Sequence, residues 1–259
     1  TSVYTATCTA TSDGTPSVSV AADKFTDATG NDNSVSNTYT WTYDGTVPTM
    51  AITTSTVSSG ASTATAAIAL TFTSSEATSN FIANDITVSG CSLGSLSATS
   101  TSVYTATCTA TSDGTPSVSV AADKFTDAVG NDNTVSNTYT WTYDSTVPTM
   151  TITSSTVSSG ATTNTAAIAL TFTSSESTTD FVANDITASG CSLGSLSGSG
   201  ATYTATCTAT SDGTPSISVA ANKFSDGVGN ANSAASNTYT WTYDSTAVTM
   251  TISSSAVSS

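Results

Sequence analysis

The chain has 259 residues, of which 59 are Thr and 48 are Ser, so about 41% of it carries a small hydroxyl side chain. Three Lys, no Arg and no His stand against 18 acidic residues, giving a net charge of −15. That balance excludes nucleic acid as a partner, because phosphate binding needs clustered Lys or Arg, and it excludes a His-dependent triad or a His-ligated zinc site.

The longest apolar run, Ala66 to Leu70, is five residues, which rules out a transmembrane segment in the sequence. Residues 1–28 recur unchanged at 101–128, and the phrase returns from Ala201 to Gly227 with one residue deleted before it. SNTYTWTYD occurs at 36–44, 136–144 and 236–244, and AAIALTFTSSE at 66–76 and 166–176. A period close to 100 means one whole domain per repeat. The expected organisation is the C-terminal part of a repeat at 1–45, complete repeats at 46–145 and 146–245, and the first strand of a further repeat at 246–259. The sequence therefore reads as a window on a longer array.

Within a repeat the apolar residues alternate. Ile68, Leu70 and Phe72 share one face, as do Tyr104, Ala106 and Cys108, then Val118 and Val120, then Tyr139, Trp141 and Tyr143, with Thr or Ser mostly between them. No apolar stripe of helical spacing runs for three turns, and Thr, Ser, Val and Gly dominate every segment. In chain order the pattern predicts strands near 49–57, 66–73, 81–89, 92–97, 102–110, 115–121 and 136–144, with Asp113-Gly114 as a turn. Seven short strands in about 100 residues predict an all-β fold of tandem immunoglobulin-like sandwiches.

These strands, with the phrases LTFTSSE, FIANDITVSG, TYTAT and SNTYTWTYDSTVPT, resemble the bacterial immunoglobulin-like repeats of large surface adhesins and extracellular filament proteins. The resemblance spans the chain and implies a sandwich fold and a role as stalk. One departure is that Cys91 and Cys108 stand where such repeats usually carry a small and an apolar residue.

The five Cys are explained by the repeat, since Cys8 has the phase of Cys108 and its partner would lie upstream. Pairing 92–97 with 102–107 as a hairpin sets opposite each other residues whose numbers add to 199, as 91 and 108 do. The Cys191 and Cys207 numbers add to one less than the equivalent 399, matching the single residue lost from the hairpin tip. Disulfides Cys91–Cys108 and Cys191–Cys207 are therefore expected, and with them an oxidising, extracellular location. Two buried thiols per repeat are the plainer reading, and a metal site is disfavoured by the lack of His.

If the strands run alternately up and down, Glu76, Asp127 and Asn131 arrive near the linker residue Asp44, and one repeat later Glu176, Asp226 and Asn230 arrive near Asp144. Carboxylates with one Lys per repeat repel one another unless a cation sits among them, and oxygen-only ligands suit calcium. The resemblance implies the same, since related adhesin repeats stiffen their linkers with calcium. Solvated loop acids are the alternative. Asp123 and Asp132 become Asn222 and Ala231 one repeat later, so neither is an essential ligand.

No nucleophile is spaced against a base, so no enzyme is expected. Trp141 between Tyr139 and Tyr143 suggests a sugar platform, but the alternation with Thr places it in the core. The functional expectation is a structural stalk or filament shaft with one disulfide per repeat and calcium-stiffened junctions. Its rival is an adhesive module gripping a surface, glycan or ice through loops or Thr-rich faces. The outward residues Ala67, Ala69, Thr71, Thr105, Thr107, Thr109, Thr138, Thr140 and Thr142 are small and uncharged, which favours self-association into a filament or fibre.

Overall fold

The computed structural model describes residues 2–255. It divides into two compact units, the first comprising the chain up to Ala61 with Ala67–Thr142, the second Ser62–Ala66 with the chain from Tyr143 onward.

In the first unit the leading half-repeat contributes β1 (Ser17–Val18) and β2 (Tyr39–Thr40), which pair antiparallel. Then follow in chain order β3 (Met50–Thr53), the short β4 (Ser62–Thr63), which belongs to the second unit, β5 (Ala67–Ser74), β6 (Ile86–Ser89), β7 (Cys91–Leu93), β8 (Ser97–Ala98), β9 (Val103–Ala110), β10 (Ser117–Val120), β11 (Tyr139–Thr140) and β12 (Thr142–Tyr143), whose Tyr143 begins the rest of the second unit. One sheet has the order β3-β5-β9-β7 with β8 also on β9, and the other has the order β11-β10-β6. The second unit repeats this plan with β13 (Met150–Ser154), β14 (Thr162–Thr163), β15 (Ala167–Thr178), β16 (Ile186–Ser189), β17 (Cys191–Leu193), β18 (Ser197–Ala209), β19 (Ser216–Val219), β20 (Tyr239–Thr240) and β21 (Thr242–Tyr243), in sheets β13-β15-β18-β17 and β16-β19-β20.

Alternation along each strand decides which residues the sheets enclose. Along β5 the side chains of Ile68, Leu70 and Phe72 are buried while Ala67, Ala69 and Thr73 are exposed. Ile52, Phe72 and Tyr104 form one inward row across β3, β5 and β9. Phe81 closes the core edge-on, with ring centroids 5.0 Å from Tyr104 and 5.3 Å from Phe125, and Phe181 does the same with Tyr203 and Phe224 at 5.1 and 5.5 Å. Trp141 and Trp241 have no exposed surface, so neither is a sugar platform. Each such apolar side chain stabilises its unit by roughly 1.5–3 kcal/mol.

Several strands are shorter than the alternation implied: 92–97 is interrupted after Leu93, and 115–121 shrinks to Ser117–Val120. β3 ends at Thr53, because beyond it the chain leaves the sheet toward a turn at Gly60, whose φ of 81° favours glycine. Before β6 the chain makes a 3-10 turn at Ala83–Asp85, stabilised where Asp85 Oδ2 accepts the Ile82 N–H at 2.8 Å. The segment 136–144 splits at Trp141, where it stops pairing with β10 and turns to Ala61, whose carbonyl accepts the Thr142 N–H at 2.9 Å. Asp123 and Asn222 occupy the left-handed region at φ of 59° and 58°, which Asp and Asn tolerate.

Residues 246–255 form no strand, and 256–259, the rest of the segment read as a first strand, lie outside the described residues. In both complete repeats the equivalent strand pairs with β5 or β15.

Candidate metal centre

The disulfides Cys91–Cys108 and Cys191–Cys207 are formed, with Cα separations of 5.8 and 5.7 Å. The register that suggested them is corrected by two residues. Leu93 stands opposite Cys108 and Cys91 opposite Ala110, so the paired numbers add to 201, and the disulfide runs diagonally between neighbouring strands. Leu193 stands opposite Cys207 in the same way. A shift of two keeps every side chain on its face, which is why the partners were right although the register was not. Each bond ties an edge strand to the centre of its sheet.

Two carboxylate groups assemble as the strand directions implied. Asp44 precedes β3, Glu76 follows β5, and Asp127 lies in the loop between β10 and β11, yet one oxygen from each falls within 4.8 Å of the others. Asp144, Glu176 and Asp226 repeat the arrangement. Asp127 is 7% exposed. Burial alone would raise its carboxyl, but the Asn131 side chain and the N–H groups of Asn131, Gly130 and Val129 outweigh burial and hold it below the usual carboxylate range. Asp226 is lowered against burial by the corresponding bonds from Asn230, Val228 and Gly229.

Glu76 responds in the opposite direction. Burial, then the charges of Asp44, Asp127 and Asp13, and a hydrogen bond to Asp127 that only the protonated group donates, raise its carboxyl. Three acids forced this close favour a proton or a cation among them. Calcium binds oxygens at about 2.3–2.6 Å, so two ligands of one ion lie up to about 5 Å apart, and the observed spacing fits.

Asn131 and Asn230, expected beside the carboxylates, use their side-chain nitrogens to join the acidic loop to the linker. Asn131 Nδ2 donates to Asp127 Oδ2 at 2.7 Å and to the linker carbonyls of Asp44 and Thr46 at 3.1 and 3.2 Å. Asn230 Nδ2 donates to Asp226 Oδ2 at 2.8 Å and to the Asp144 carbonyl at 3.0 Å. They act as struts between the acidic loop and the linker.

A second set of linker contacts comes from the Asp-Gly turns. Asp13 accepts from the Gly45 N–H at 2.7 Å and from the Thr46 hydroxyl, which lower its carboxyl, the Thr46 bond most. Asp212 accepts from the hydroxyls of Ser245 and Thr246 and from the Ser245 N–H. The Asp180 carboxylate, which sequence reasoning missed, latches to Ser225, and Asn80 does the same to the Thr126 N–H at 3.1 Å. No local pattern announces these pairs, because the partners lie about 45 residues apart.

The profile of the bacterial Ig-like domain matches residues 44–143 and 144–243. The chain belongs to the bacterial Ig-like domain family. No curated protein matches it. Among solved structures it is similar to invasin, described as a bacterial integrin-binding protein, at 16% identity and a TM-score of 0.42, covering 81% of this chain and 43% of that one. It is also similar to InvD of Yersinia pseudotuberculosis at 19% identity and 0.33, covering 78% and 60%, and to domains 5–6 of the S-layer protein SbsC at 14% and 0.22, covering 78% and 99%. The chain thus spans less than half of the invasin chain and about three fifths of InvD. These bacterial Ig-like repeats carry one disulfide each, and among the described residues no helix is long and apolar enough to cross a membrane.

Proposed function

We propose that this chain is a section of an extracellular shaft, on a cell surface or in a secreted filament, whose repeats supply length and stiffness rather than catalysis. The observation that carries this reading is repetition of the build. Each complete repeat has the same core, the same disulfide and the same carboxylate trio, and in each an Asn strut holds the linker that enters it. A linker so restrained limits bending, and disulfides suit an oxidising exterior. Calcium is the cation we assign to the trios, held by Asp44, Glu76 and Asp127 and by Asp144, Glu176 and Asp226. Their three carboxylates match its preference for charged oxygen ligands.

The same reading includes self-association. The exposed faces of β5 and β9 carry Ala67, Ala69, Thr107 and Thr109, which are small and uncharged, so copies of the chain meet there without charge repulsion. Micrographs of native material test the proposal. Beaded threads support a single-chain tether, thick helical fibres support lateral assembly, and neither structure being present contradicts a shaft. Sedimentation of the chain at high concentration tests the second part, and a strictly monomeric species would remove self-association.

A further inference from the structure

We infer that the peptide between Asp44 and Gly45 is a site of spontaneous backbone isomerisation, at which the chain re-routes itself through the Asp44 side chain; the inference goes beyond the shaft reading. The chain has five Asp-Gly pairs, at 13–14, 44–45, 113–114, 212–213 and 226–227. A glycine after Asp leaves the following nitrogen unshielded by a Cβ, so each pair is open to this reaction in an unfolded chain. The fold selects among them.

At Asp44 three features coincide. Its Oδ1 accepts the Thr46 N–H at 3.1 Å, an Asx turn that folds the carboxyl carbon back over the Gly45 nitrogen. The Gly45 N–H donates to the Asp13 carboxylate at 2.7 Å, so a base already holds the proton that must leave. Gly45 is exposed and Asp44 half-buried, so water reaches the bond.

The reaction has two balanced steps. The Gly45 nitrogen bonds to Asp44 Cγ and passes its proton to Asp13. One carboxylate oxygen leaves as water, taking that proton and a second from solvent, and a five-membered succinimide results. Water then adds to the former main-chain carbonyl carbon, whose bond to the Gly45 nitrogen breaks. Of the hydrogens of that water, one goes to the nitrogen and the other to the new carboxyl. The product carries the chain through Cβ and Cγ, longer by one methylene, with a free carboxylate on Cα. The Asp44 carbonyl accepts from Asn131 Nδ2 at 3.1 Å, so after the change this strut holds a side branch in place of the main chain, and the linker is loosened.

Other sites lack at least one of these features. Asp144 and Asp244 make the same Asx turn, to the Thr146 and Thr246 N–H groups at 3.0 and 2.9 Å, but Ser follows them. Asp13 and Asp212 aim their carboxylates at the linker residues Thr46 and Ser245, away from their own glycines. The Gly14 and Gly213 N–H groups donate instead to the Tyr43 and Tyr243 carbonyls at 2.9 and 3.0 Å, which are far weaker bases than a carboxylate. Asp226 is 6% exposed, and its Oδ1 accepts from Val228, Gly229 and Asn230 at 2.9, 2.7 and 2.9 Å, which fixes it away from water.

The test incubates the folded, oxidised full chain at neutral pH with a chelator present. A protease that cleaves before Asp but not before isoaspartate, followed by mass spectrometry, then locates the product. Cleavage before residue 44 should be lost several-fold faster than before residues 13, 212 and 226, with no change in mass. In urea all five pairs should react at similar rates. Gly45→Ser, which copies the residue at 145 and 245, should slow the reaction at residue 44 several-fold, and Asp13→Ser should slow it by removing the proton acceptor. Circular dichroism checks that both variants fold. An unchanged Asp44, or equal rates at residues 44 and 226 in the folded chain, would overturn the inference, and an unslowed Asp13→Ser variant would overturn the part given to Asp13. The shaft reading stands apart from every one of these results, since it depends on where the repeats lie in native material.

Discussion

Asn131 ties Asp127 to the linker, donating one side-chain amide to the Asp127 carboxylate at 2.7 Å and to the carbonyls of Asp44 and Thr46 at 3.1 and 3.2 Å. The geometry makes a loop residue of the repeat responsible for the chain that enters it. Asn131→Ala should destabilise the first unit by about 1–3 kcal/mol, the cost of leaving polar groups without their donor. Thermal unfolding of the full chain checks this, and an unchanged profile would mean that water replaces the amide without loss.

The pH dependence follows from the opposed directions at Glu76 and Asp127. Raised in the folded protein, Glu76 contributes stability below its ordinary value near 4.5, and that contribution is lost as pH rises through its folded value. Asp127 and Asp226 are lowered, so theirs is present above the ordinary value of 3.8 and lost as pH falls through the folded value. Without calcium the urea midpoint of the first unit should therefore rise as pH falls through the folded Glu76 value toward 4.5, and drop again as pH falls below 3.8. Calcium should raise the pH 7 midpoint and abolish the rise, and Glu76→Gln should weaken the calcium effect. An identical pH profile with and without calcium would remove the cation from the site.

Trp141 is fully enclosed between the sheets. Trp141→Ala should destabilise the first unit by about 3–5 kcal/mol, the range for deleting a large buried aromatic side chain. Differential scanning calorimetry should show one transition shifted while that of the second unit stays in place.

The Cys191–Cys207 bond closes a loop of 16 residues. Reduction should destabilise the second unit by about 3 kcal/mol through the freed loop. In a single-molecule trace it should also lengthen the unfolding step of that repeat by about 52 Å, the contour of 16 residues at about 3.6 Å each less the 5.7 Å already spanned by the bonded pair. Steps of equal length in oxidised and reduced samples would show that the bond does not form in solution.

Much of the fold was legible because alternation is a local signal. Ile68, Leu70 and Phe72 point inward wherever the strand pairs, so the core could be read without knowing the register. The register itself was not legible, since moving Cys91 from Cys108 to Ala110 changes no face. The carboxylate trio followed from strand direction alone, because Asp44, Glu76 and Asp127 sit at strand ends and only their common pole had to be known. Asn137, Asn133 and Asp180 were missed because their roles exist only in the folded chain. Asn133, 2% exposed, accepts the N–H groups of Lys124 and Phe125 and donates to Ala121 and Thr134. In the sequence it is one Asn in a polar loop. The break at Trp141 was hidden for a similar reason, since the chain there changes partners while its alternation continues.

The most direct measurement is immunogold electron microscopy of native material with an antibody raised against the folded repeat. A structural shaft predicts label at regular intervals along the length of a thread or fibre. Label confined to tips, with an unlabelled shaft behind it, would contradict the account and assign these domains to binding.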